Sequence, residues 1–163
     1  MISRRLLLAG AALALLPLAG PSGAAEGDGR IILQIDGKLE GGRLEFSRAD
    51  LEKLGLTTIR TATPWHDGVQ VFEGVELSRL MQVAKARGET VEVTALNRYR
   101  SAIPVADFEQ FRPILALKRG GEYLQVKDKG PLFVIYPFDD RPELKTEQYY
   151  GRAVWQVRSI TVE

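Results

Sequence analysis

TATPWHDGVQVFEGVEL, Thr61 to Leu77, is the stretch on which the reading of this chain turns. Thr57 to Thr61 is β-branched and predicts a strand leading into a Pro64-Trp65 loop. Val69, Val71 and Phe72 predict a second short strand. From Leu77 onward the pattern changes period. Leu77, Leu80, Met81 and Ala84 fall at i, i+3, i+4 and i+7, the spacing of an amphipathic helix with Met81 in the core, and Gly88 is its expected stop. A second stretch, KGPLFVIYPFDD from Lys129 to Asp140, pairs with the first. Its Leu132–Tyr136 run is wholly apolar and predicts a central strand, followed by a Pro137-Phe138-Asp139-Asp140 loop.

Working outward, Ile31 to Ile35 predicts a strand with a turn at Asp36-Gly37. Ser47, with Asp50 three residues on, predicts the N-cap of a short helix that Gly55 stops and whose Leu51 and Leu54 are buried. Val91, Val93 and Ala95 alternate with polar residues, a half-buried strand with Asn97-Arg98-Tyr99-Arg100 at its end. Pro104 opens a helical turn reaching Phe108. Ile114–Lys118 and Tyr123–Val126 flank Gly120-Gly121 as a hairpin. Val154, Gln156, Arg158 and Ile160–Val162 predict the last strand. Many short strands with two or three short helices define an α+β domain with a mixed or antiparallel sheet.

The N-terminus reads differently. Arg4 and Arg5 precede an apolar Leu6–Leu18 run, and Ser22-Gly23-Ala24 supplies small residues for cleavage. Residues 1–24 are therefore expected to be a secretory signal peptide, 25–30 a flexible start and 31–163 the folded domain. The apolar run falls short of the about 20 residues of a membrane span. The Arg4-Arg5 pair fits either a twin-arginine or a Sec signal, and both imply export to a periplasm. Cleavage after Ala24 removes two arginines and no acid, taking the net charge from +1 to −1. A near-neutral chain without a basic block gives no support for nucleic-acid binding. With no cysteine, the domain has no disulfide, thiolate metal site or thiol nucleophile.

Taken in order, several short pieces resemble the molybdopterin-binding domain of the sulfite-oxidase fold. They are Thr61–Trp65, Phe72–Leu77, Asn97–Tyr99, Ile103–Asp107, Leu115–Gly120 and Gly130–Pro137. The resemblance spans Ile31 to Glu163. It implies that fold, and a pocket for a pterin. In catalytic relatives a cysteine on the loop occupied here by Thr61–Trp65 holds molybdenum, and a threonine hydroxyl is a poor substitute. The chain most resembles small exported members lacking that cysteine. This implies a non-catalytic pterin receptor acting on the periplasmic domain of an inner-membrane signalling protein, such as a cyclic-di-GMP enzyme or a sensor kinase. Molybdenum is not expected. Two alternatives are an oxidoreductase subunit with non-cysteine metal coordination and a structural partner domain with a self-filled pocket.

A pterin needs a face to stack on and polar groups in its plane. Stacking on an aromatic side chain is worth about 1–3 kcal/mol, and a charge-assisted hydrogen bond about 1.5–3 kcal/mol. Trp65 is the expected stacking residue, on the loop that carries Thr61 and Thr63. Asn97 offers a coplanar donor and acceptor, although it equally suits a turn with a left-handed backbone. Tyr99 either covers the ring or packs its hairpin. Arg98 and Arg100 either read an anionic tail or form a solvated face. Tyr136 and Phe138 flank the loop where Asp139, with Asp140 second, is the candidate for the amidine edge. Tyr149-Tyr150-Gly151 either closes the pocket or meets a partner, and Trp155 is expected in the core. His66 is the only histidine, so no histidine-based metal set exists. Adjacent acids such as Asp139 and Asp140 do not make a glycosidase pair. No phosphate loop or nucleophile elbow is present.

Overall fold

The computed structural model describes residues 29–163. The predicted leader and the first residues of the predicted flexible start lie outside them. The elements run β1 (Ile31–Gly37), β2 (Leu44–Ser47), α1 (Arg48–Lys53), β3 (Thr57–Thr63), β4 (His66–Glu76) and α2 (Leu77–Ala84). Then come β5 (Thr90–Ala95), β6 (Arg100–Pro104), α3 (Ala106–Phe111), β7 (Ile114–Arg119) and β8 (Glu122–Tyr123). After a 3-10 turn at Val126–Asp128 follow β9 (Phe133–Ile135), a second 3-10 turn at Pro142–Leu144, α4 (Glu147–Arg152) and β10 (Val157–Val162). No helix among the described residues is long and apolar enough to cross a membrane.

Over the described residues the chain is α+β, with two five-stranded sheets and short helices. The first sheet has the order β2-β1-β10-β5-β6, with β1 and β10 parallel and the other pairs antiparallel. The second has the order β3-β4-β7-β8, with β9 also paired to β7, and is antiparallel throughout. Alternation along the strands feeds one shared core. Leu33, Ile35, Val93 and Ile160 enter it from the first sheet, and Phe72 and Leu115 from the second.

Local chemistry explains the element ends. Ser47 caps α1 through a reciprocal capping box with Asp50: the Asp50 N–H donates to Ser47 Oγ, and the Ser47 N–H donates to the Asp50 carboxylate. Gly120 and Gly121 both take positive φ, as a two-residue hairpin between β7 and β8 requires. Helix α2 buries Leu77, Leu80, Met81 and Ala84, the periodicity read from the sequence. Its stop differs from expectation. The helix ends at Lys85, in the left-handed region at φ 50°, whose N–H reaches back to Gln82 and Met81 carbonyls. Gly88 serves instead a close approach, since a Cβ there would stand 2.1 Å from the Glu163 carbonyl oxygen.

Other boundaries also move. β9 is buried on both faces but has only β7 as a strand partner, with a single bridge from Phe133 to Trp155. It is therefore a buried end of its ladder, and its apolar run reflects cover by other elements. Pro104 ends β6 instead of opening a helix, and α3 starts at Ala106. β10 begins at Val157, because Gln156 holds φ 54° and interrupts extended structure. Strands β2 and β6 and helix α4 are additions to the sequence reading.

Candidate functional site: an aromatic cavity

Pro64 and Trp65 form the two-residue turn joining β3 to β4, with Thr63 paired to His66 across it. The turn leaves Trp65 at a hairpin tip, half-buried against three aromatic neighbours. Its ring centroid lies 5.6 Å from Phe133 on β9, 5.9 Å from Tyr150 on α4 and 5.4 Å from Trp155. Trp155 is carried by the bridge to Phe133 and by the residues leading into β10. Together Trp65, Tyr150 and Trp155 wall a cavity of about 310 Å³, with Asn97 and Tyr99 of the β5–β6 turn on its polar side. Pockets of about 300–1,000 Å³, apolar with a few placed polar groups, are the usual form of small-molecule sites.

Hydrogen bonds fix the polar side. Asn97 Oδ1 accepts from the Tyr99 N–H at 3.0 Å, so Asn97 does act as a turn residue, with Arg98 left-handed beside it at φ 71°. The Tyr99 hydroxyl donates to the Gly151 carbonyl at 2.9 Å and ties the turn to α4. Arg100 is paired with Glu92 on β5 at 3.2 Å. The Lys129 ammonium sits 4.5 Å from the Trp155 ring centroid, a cation–π contact that braces that ring.

Helix α4 is too short to be stable by itself, and a buried polar cluster anchors it. Asp107 on α3 accepts from the Tyr136 hydroxyl at 2.9 Å and from Arg152 Nη1 at 2.8 Å. Burial, then the charge and hydrogen bond of Asp107, push the Tyr136 phenol far above its ordinary range. Arg152 also lies over the Tyr149 ring at 5.0 Å. The cluster holds in place the helix that presents Tyr150 and Gly151.

The expected residues thus separate into two groups. Trp65, Asn97 and Tyr99 meet at the cavity. Tyr136 and Phe138 are fully buried and stand behind its wall, with the Phe138 ring 5.1 Å from Tyr150. Asp139 does not line the cavity either. It accepts from the Ala62 N–H and from Lys145 Nζ, both at 2.7 Å, and these bonds hold its carboxyl below the usual carboxylate range. The Asp139 N–H in turn donates to Thr61 Oγ1 at 3.1 Å. This loop is a clasp on the end of β3. Lys129 to Asp140 contributes no residue to the cavity lining; α4 and Ala153 to Trp155 line it with Trp65, Asn97 and Tyr99. Asp140 is exposed.

Thr63 Oγ1 shares a 2.8 Å hydrogen bond with His66 Nδ1. Burial, with Arg119 and Lys129 nearby, holds the His66 imidazole below its ordinary pKa. Thr61 and Thr63 are both buried and both engaged within the protein. Neither the residue types nor these partners fit a thiolate-held metal at this loop. Among the described residues no group of three or more histidine, aspartate or glutamate side chains forms a metal site.

Trp155 is the main wall residue that the sequence reading placed elsewhere. It was expected within a continuous last strand, and only the left-handed Gln156 frees it from that role. Tyr150 had a readable signal, in the Tyr149-Tyr150-Gly151 cluster. Compared with known proteins, the chain matches no family model and no curated sequence.

Proposed function

We propose that this protein is an exported, non-catalytic pterin-binding protein of the sulfite-oxidase molybdopterin-domain type, which reports ligand to a membrane-bound signalling partner. The observation that carries the reading is the aromatic cavity built around Trp65, the residue the sequence pattern marks for stacking. A flat bicyclic ring packs in the cavity against the surface that Trp65, Tyr150 and Trp155 present, and gains stacking worth about 1–3 kcal/mol on a good face. The Asn97 amide reads the ring edge from the polar side. Among the described residues no carboxylate lines the cavity, so the charge-assisted pair expected from Asp139 is absent from this reading. Affinity then rests on stacking and the Asn97 amide, and binding between millimolar and micromolar is the expected range, about −4 to −8 kcal/mol.

The test is a titration of purified protein with oxidised and reduced pterins, followed by tryptophan fluorescence. Saturable quenching with a midpoint between micromolar and millimolar is expected. Trp65→Ala should weaken binding roughly 5- to 150-fold, the equivalent of about 1–3 kcal/mol, with Trp155 remaining as reporter. Absence of binding across the panel would sink the proposal.

A further inference from the structure

Thr63 pairs with His66 across the Pro64-Trp65 turn, but the next rung of the β3–β4 ladder joins Ala62 to Val69. Asp67 and Gly68 are therefore bulged out without a partner on β3, with Gly68 at φ 67°. The bulge cuts the rung beside Trp65 off from the regular ladder. A second tie holds that rung, the 2.8 Å hydrogen bond between Thr63 Oγ1 and His66 Nδ1. Thr63 is buried and His66 half-buried, so little water competes for this bond.

Packing also links His66 to the cavity, although it does not line it. Its ring centroid lies 5.8 Å from Phe72 and 6.2 Å from Phe133. Phe133 is fully buried and lies in turn 5.6 Å from Trp65 and 6.3 Å from Trp155. One phenyl ring is thus shared by the histidine and both indoles. The charge around the imidazole is unbalanced. Arg119 on β7 and Lys129 in the segment before β9 act on it as cations, and Asp128 of the 3-10 turn opposes them. Asp67, next in the chain, is exposed. Burial first, and then the two cations, keep the ring uncharged at neutral pH. Protonation disturbs both links. An imidazolium carries a proton on each nitrogen, so Nδ1 no longer accepts, and a Thr63 hydroxyl that donates to it must turn away. The charge also draws the ring toward water and away from Phe72 and Phe133. Either movement loosens the rung beside Trp65.

We propose that His66 is a positioning residue that links the aromatic cavity to protons: the neutral imidazole holds Trp65 in its binding pose, and the imidazolium releases it. The protein then takes up its ring ligand near neutral pH and lets it go in acid. This rests on the reading of the cavity as a ring-binding site. The coupling is reciprocal. A ligand that packs on Trp65 favours the neutral imidazole, and a proton on His66 disfavours the ligand by the same factor.

The test uses the whole protein and 6-hydroxymethylpterin, whose ring stays neutral between about pH 5 and 7, the window in which histidine titrates. Affinity for wild type should fall roughly fivefold or more from the upper to the lower pH. His66→Gln keeps a partner for Thr63 but takes no proton, and its affinity should be flat across the same range. His66 is the chain's one histidine, so its ring signals in nuclear magnetic resonance give its titration midpoint without assignment. That midpoint should lie lower in pterin-saturated protein than in free protein. Equal midpoints in the two states would overturn the proposal, as would a fall in affinity that His66→Gln reproduces. A ligand-free readout separates this proposal from the reading it rests on. In free protein the Trp65 indole N–H signal should move with the His66 midpoint, and in His66→Gln it should stay in place. If no pterin binds, the ring-binding reading fails, and a Trp65 signal that still follows His66 upholds the positioning. A Trp65 signal indifferent to His66 would overturn it whether or not a pterin binds.

Discussion

Asp107→Ala should be among the most damaging single changes in this protein. The Asp107 carboxylate is buried on α3 and takes both the Tyr136 hydroxyl and the Arg152 guanidinium on one oxygen. With it present, no buried side-chain nitrogen or oxygen among the described residues lacks a partner. Without it, the Tyr136 hydroxyl is stranded in the core at a cost of about 1–3 kcal/mol. Arg152, whose side chain is only 14% exposed, loses its counter-charge, and breaking a buried pair costs about 3–5 kcal/mol. The two terms overlap, because a loosened α4 lets Arg152 reach water. About 3–5 kcal/mol is therefore the expected total, a large part of the about 5–15 kcal/mol that holds a domain together. Urea unfolding followed by circular dichroism reads this directly. At a slope of about 2 kcal/mol per molar the midpoint should fall by roughly 1.5–2.5 M. Asp107→Asn keeps an acceptor for Tyr136 and should lose about half as much. Tyr136→Phe should cost only about 1 kcal/mol. A loss under about 1 kcal/mol for Asp107→Ala would refute the view that this cluster anchors α4.

His66 gives the chain a pH-dependent stability. Its folded pKa lies below the unfolded value, so the unfolded state binds more protons between the two. Stability should be full above about pH 6.5 and fall as the pH drops through that window; His66→Gln should flatten the slope of urea midpoint against pH between 7 and 5. Gly74→Ala should destabilise by about 1–3 kcal/mol, since a Cβ there would lie 2.2 Å from the Leu115 carbonyl oxygen between β4 and β7. A thermal midpoint within a degree of wild type would show that the two strands separate more easily than their packing implies.

Much of the fold is legible in the sequence where a local signal has one physical meaning. The Ser47–Asp50 box, the Gly120-Gly121 hairpin and the α2 periodicity each specify their element through nearby atoms alone. Signals with two meanings mislead. Gly88 looks like a helix stop, yet Lys85 ends the helix and Gly88 makes room for the backbone at Glu163. The apolar run at β9 looks like a central strand, yet burial on both faces can come from covering layers as well as from flanking strands.

The candidate site divides the same way. Trp65 is readable because a tryptophan after proline in a short polar loop has little local use. Asp139 looked like a ligand-reading acid because loop acids after a buried strand often are, but Ala62 and Lys145 lie 77 and 6 residues away in sequence and claim its oxygens. Trp155 and the role of Asp107 depend on tertiary neighbours, and no spacing in the sequence announces them.

The central claim is that a flat ring packs in the cavity against Trp65 and Trp155. The indole N–H signals of these two residues, the only tryptophans in the chain, can be followed by two-dimensional nuclear magnetic resonance as a pterin is added. The account predicts that both signals shift and saturate together, and that Trp65→Ala removes one signal and weakens the response of the other. Two indole signals that stay in place at millimolar pterin would contradict it.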